Sequence, residues 1–136
     1  MPIWTDYSIW PPTPIDQPLP LRRAGDETQL TLCGVPIKVI FVPGHAFDQV
    51  LYLMELDGKR IMFTGDVGFG GESHILHRCW GDREKAAVLS RVIRNQALPF
   101  QPDYVFTGHD AQKQGTAFLE DLLNRTDAAL ARPPGK

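Results

Sequence analysis

The sequence has no long hydrophobic run. Its longest unbroken apolar stretch is Val50 to Met54, five residues, against the roughly 20 that a membrane-spanning helix needs. It is poor in cysteine: Cys33 and Cys79 stand 46 positions apart without a CxxC spacing, which argues for free thiols and against a disulfide scaffold. Neither charge sign predominates, since 14 Lys+Arg against 16 Asp+Glu give a net charge of -2. No broad basic surface is left to neutralise a nucleic-acid backbone. The opening Met1-Pro2-Ile3-Trp4-Thr5-Asp6 lacks the basic and apolar regions of a secretory signal, so a cytoplasmic location is expected. What is present is ordinary: 136 residues, 43% hydrophobic and 22% charged, the proportions of one soluble globular domain.

Six of the 12 prolines fall at Pro2, Pro11, Pro12, Pro14, Pro18 and Pro20, where they deny backbone donors to helices and central strands. Residues 1–27 therefore form an extended arm, and its Trp4, Tyr7, Ile9 and Trp10 predict that it packs on the domain or on another chain. Residues 28–136 make the domain. Thr28 to Cys33 alternates apolar and polar, Gly34 punctuates, and Pro36 to Val42 is a β-branched run fit for a buried strand. Val50 to Leu56 and Lys59 to Thr64 flank Asp57-Gly58, the pair preferred in a two-residue type I′ hairpin turn. Asp82 can cap a helix over residues 83–97, with Ala86, Leu89, Val92, Ile93 and Gln96 on one face and Pro99 beyond its end. Tyr104 to Thr107 is a short strand. Phe118, Leu119, Leu122, Leu123 and Leu130 recur at helical spacing, and Pro133-Pro134-Gly135 ends that last helix.

One pattern occurs three times, a strand ending in glycine followed by a side chain that can bind a metal: Gly44-His45, Gly65-Asp66 and Gly108-His109. Glycine lets a strand turn sharply and present the next residue at the rim of the sheet, where α/β folds place their sites. If strands 36–42, 50–56 and 59–64 run up, down and up, His45 and Asp66 emerge at one edge. The helix over 83–97 is then a crossover that brings strand 104–107 parallel to strand 59–64, and His109 reaches the same edge. Two imidazoles and a carboxylate suit zinc, iron or manganese. The remaining histidines lie in His74-Ile75-Leu76-His77-Arg78-Cys79, which has no established zinc spacing; a loop of scattered polar residues is expected, one that could line the site without binding metal. Gly68-Phe69-Gly70-Gly71 lacks the lysine of a phosphate-binding loop. Arg22, Arg23, Arg83, Lys85, Arg91 and Arg94 are expected to be solvated surface.

In this order and these strand contexts, the residues resemble the C-terminal half of the metallo-β-lactamase superfamily. Phe41-Val42-Pro43-Gly44-His45 is similar to its third metal-ligand motif, Phe63-Thr64-Gly65-Asp66 to its bridging-aspartate motif and Thr107-Gly108-His109 to its last histidine motif. The resemblance implies an α/β fold, half of an αββα sandwich, with one mixed β-sheet and two main helices. It implies that His45, Asp66 and His109 are metal ligands, zinc foremost, with Asp66 also serving the chemistry by bridging two metals. That chemistry is attack of a metal-activated water on an ester, thioester, amide or phosphodiester.

The family's HxHxDH is absent, because no two of these histidines are spaced by one residue and none precedes His45. The isolated chain is therefore expected to be inactive. Hydrolysis would require another chain, a complementary N-terminal half. The alternatives are a noncatalytic self-associating module and a mononuclear site of two histidines and one carboxylate. A sheet carrying Ile40, Val42, Leu51, Leu53, Ile61 and Phe63 with helices on one side should leave an apolar face uncovered, which predicts a homodimer.

Overall fold

A computed structural model describes residues 23–46, 49–68 and 73–134; the arm's residues 1–22, with Trp4, Tyr7, Ile9 and Trp10, lie outside them. Six strands follow one another in space as they do in sequence. These are β1 (Glu27–Leu32), β2 (Val35–Phe41), β3 (Val50–Leu56), β4 (Lys59–Gly65), β5 (Tyr104–Thr107) and β6 (Lys113–Gln114). Neighbours are antiparallel except β4 and β5, which are parallel. This is the up, down, up and crossover order that the sequence predicts. β1 starts at Glu27, and Gly25 N–H already donates to Phe41 O at 2.8 Å, so the sheet takes in residues assigned above to the arm.

Both early hairpins use two-residue turns with left-handed backbone. Asp57 and Gly58 have φ of 52° and 75°, and Cys33 and Gly34 have 51° and 79°, as type I′ turns require. The β3–β4 register that follows pairs Leu53 with Met62 and Tyr52 with Phe63. Successive side chains alternate across a strand, so the six strand residues grouped above divide between the two faces. Ile40, Val42, Leu51 and Leu53 join Met62 and Val105 against the helices, whereas Ile61 and Phe63 align with Tyr52, Met54, Tyr104 and Phe106 on the opposite face.

The helices are α1 (Ile75–Arg78), α2 (Arg83–Val92) and α3 (Ala117–Ala131). Asp82 caps α2, its carboxylate accepting from Lys85 N–H at 3.0 Å. The helix predicted over 83–97 changes form at Ile93 and continues as a π-helix over Ile93–Ala97, then a 3₁₀ turn over Leu98–Phe100. Pro99 has no N–H to send to Asn95, and its ring crowds that carbonyl; the chain widens, and Leu98 N–H bonds Ile93 O instead. Ala86, Leu89, Val92 and Ile93 from this helix meet Phe118, Leu119, Leu122 and Leu123 of α3 over the sheet. Fully burying one such leucine stabilises the domain by about 1.5–3 kcal/mol.

Of the basic residues expected at the surface, Arg23, Lys85, Arg91 and Arg94 are exposed, and Arg83 is half-buried. An Arg83 guanidinium donates to the carbonyls of Leu130 and Arg132 at the end of α3, and Arg94 pairs with Asp127 at 2.9 Å. On the face away from the helices, Ile37, Val39, Phe41 and Val50 form a second buried cluster. That part of the predicted open face is not open. The exposed apolar groups lie at its margins: Leu32 at 58%, Leu56 at 44% and Phe63 at 39%, the last stacked on Phe106. Among the described residues no helix is long and apolar enough to cross a membrane.

Candidate functional site

The three glycine-led residues do meet. Asp66 stands between the two imidazoles, with Oδ1 3.0 Å from His109 Nε2 and Oδ2 3.4 Å from His45 Nε2. The glycines achieve this by two different means. Only Gly65 has a positive φ, at 54°. Gly44 and Gly108 are needed for space: a Cβ on Gly44 would sit 2.6 Å from Leu89 Cδ1, and one on Gly108 would overlap Asp66 Oδ1. Gly108 N–H also donates to Gly65 O at 2.9 Å, which locks the ends of β4 and β5 side by side.

Two neighbours that the sequence did not single out complete the arrangement. Arg78, at the end of α1, donates Nε–H to Asp66 O at 3.3 Å and places Nη2 3.2 and 3.1 Å from His45 Nδ1 and Nε2. The same Nη2 is 3.9 Å from Asp66 Oδ2. Trp80 stacks on His45 with ring centroids 5.2 Å apart and donates Nε1–H to His45 O at 3.2 Å, although its side chain is largely exposed. Its backbone is left-handed at φ 57°, followed by Gly81 at φ 82°, a sharp reversal that turns the indole back over His45. Arg78 had one sequence signal, its place in the segment holding both remaining histidines.

That segment forms α1, where a loop was expected. His74 is its N-cap: Nδ1 accepts from His77 N–H at 3.0 Å. Burial, then the nearby charges of His77, Arg125 and Arg132, lower the His74 pKa below its ordinary 6.5. Cys79 is buried, which pushes its thiol up to about 11, with Lys85 acting against the shift and Asp82 adding to it. A cleft of about 390 Å³ runs past His45, His74, His77, Arg78 and Trp80. These residues line the site as expected. Gly68 packs against Leu122, and residues 69–72 of the glycine-rich loop lie outside the described ones.

The cluster as placed does not fit a metal. Among the described residues no three His, Cys, Asp or Glu side chains form a group that could hold one. His45 and His109 instead address opposite oxygens of one carboxylate, and a guanidinium occupies the His45 side. The arrangement can hold charge and orient an imidazole, and its wall of Trp80, His74 and His77 borders an open cleft.

No protein-family model matches the sequence, and no curated protein does. Solved structures do match. One is a metallo-β-lactamase with a HARLDQ motif from Cronobacter sakazakii (Enterobacter sakazakii), similar to this chain with 20% identity and a TM-score of 0.50. The match covers 88% of this chain and 50% of that one, so this chain spans about half the length of that structure. At such identity the likeness concerns the fold. Together with the mixed sheet and its helices, it shows that this chain has one half of a metallo-β-lactamase fold.

Proposed function

We propose that this chain is a noncatalytic half-domain that associates with a second copy of itself through the sheet face opposite the helices. The observation that carries this reading is that Leu32, Leu56 and Phe63, three of the four exposed large apolar side chains among the described residues, all lie on that one face. The resemblance noted above implies that such a face meets a second sheet in the complete fold. A copy of the same sheet offers matching apolar margins, and a two-fold pairing closes without leaving a further sticky surface. The test is sedimentation velocity across the micromolar range with the native chain and a Leu56→Asp, Phe63→Asp variant. Twice the 15.2 kDa chain mass is expected for the native protein and the monomer mass for the variant. A native monomer throughout would sink the reading.

A second reading has one observation in its favour, the convergence of His45, Asp66 and His109 on the sheet edge. In it, another chain supplies a complementary N-terminal half with the missing donors. His45, Asp66 and His109 then complete a site for zinc or a similar metal, with Asp66 as the bridging ligand and an ester, thioester, amide or phosphodiester as substrate. Arg78 would have to leave His45 for that site to form.

A further inference from the structure

We infer that Arg78 is the resident cation of the His45–Asp66–His109 cluster and that it keeps the chain by itself from taking up a divalent metal. This does not depend on how the chain associates. Three observations carry it.

Arg78 is positioned from several directions. It closes α1, with its N–H on His74 O at 3.0 Å, and α1 is tied to α3 through Ile75 N–H on Thr126 Oγ1 at 3.1 Å. Its side chain is only 18% exposed. Its Nε–H on Asp66 O fixes the direction of the guanidinium plane.

The contact with His45 puts a positive charge where a metal would have to come. Nη2 lies 3.2 and 3.1 Å from Nδ1 and Nε2 alike, and since the in-plane directions of the two ring nitrogens diverge, the guanidinium stands over the face of the imidazole. A metal held between His45 Nε2 and Asp66 Oδ2 would sit beside that same Nη2, which is 3.1 Å from the one and 3.9 Å from the other.

The charge argument points the same way. Asp66 Oδ2 lies 3.9 Å from the Arg78 guanidinium, so its negative charge already has a cationic partner. A divalent cation arriving beside a permanently charged guanidinium meets repulsion in a partly buried place, where screening by water is weak.

The test is isothermal titration of zinc chloride into the full chain and into Arg78→Met, which keeps the length of the side chain and removes its charge and donors. No saturable uptake is expected from the native chain at micromolar zinc. Arg78→Met should bind one zinc, at least roughly tenfold more tightly than the native chain, and adding Asp66→Asn should abolish that gain. Equal behaviour of the native chain and Arg78→Met overturns the inference, whether both bind or neither does. Should Arg78→Met lose the circular dichroism of the native fold, the imidazole ¹⁵N resonances of the native protein decide. His45 signals unmoved by zinc uphold the inference, and a zinc-induced shift of them overturns it.

Discussion

Thr126 Oγ1 takes the backbone N–H of Ile75 at 3.1 Å while donating its own proton to Leu122 O at 2.8 Å, with no exposure to solvent. A hydroxyl in the apolar stripe of α3 thus satisfies the first N–H of α1, a buried group that would otherwise lack a partner. Thr126→Val keeps the shape and leaves that N–H unpaired, so it should cost about 1–3 kcal/mol. Urea unfolding would measure it, with Thr126→Ser recovering most of the loss; an unchanged midpoint for the valine variant would refute the account.

His74 makes stability depend on acid. Its pKa in the fold is depressed, chiefly by burial, so the unfolded chain binds the proton more readily. The sign follows: the contribution is present above the ordinary 6.5 and is lost as pH falls below it. A protonated Nδ1 also cannot accept from His77 N–H. His74→Asn, which still caps, should flatten the fall in melting temperature between neutral and mildly acidic pH, and His74→Ala should cost about 1 kcal/mol at neutral pH.

The two thiols should separate cleanly. Cys33 is exposed and Cys79 buried, with the Cys79 pKa pushed up to about 11 from 9.0. Because the thiolate is the nucleophile, a disulfide reagent should label one thiol per folded chain near neutral pH and a second only on unfolding. Peptide mapping that found Cys79 modified in the folded protein would contradict the burial.

Gly108→Ala should disturb the site more than its size suggests. The added Cβ overlaps Asp66 Oδ1, so the carboxylate must rotate away from His109, at about 1–3 kcal/mol for an overpacked position. Gly58→Ala is a control, with φ at 75° but nothing within 4 Å of the new carbon. Both variants should lose stability, while only Gly108→Ala should move the His109 Nε2 resonance.

The β3–β4 hairpin was legible because Asp57-Gly58 dictates a turn and the flanking residues dictate two strands. The meeting of His45, Asp66 and His109 was legible for a related reason: strand direction and the handedness of a crossover are set by local chirality. The faces were misjudged where a single-residue parity decided them, at Ile61 and Phe63. β6 escaped notice because two residues carry no periodicity, and its place depends on pairing with Tyr104 and Val105. Arg78 escaped for a deeper reason. Its role arises from where α1 sits, and that rests on a hydrogen bond between residues 51 positions apart. The one hint was Thr126 itself, a polar residue among Leu119, Leu122, Leu123 and Leu130.

The order of strands carries a consequence for how the molecule forms. β1 through β4 can zip up hairpin by hairpin, closing connections of two to eight residues and bringing His45 near Asp66 early. The β4–β5 pairing closes a far longer loop, from Ile61 to Tyr104, and such non-local pairing is slow. His109 therefore arrives last, and a refolding chain passes through a stage in which Asp66 has one imidazole beside it and waits for the second. Time-resolved monitoring of the two histidines would mark the moment the crossover docks.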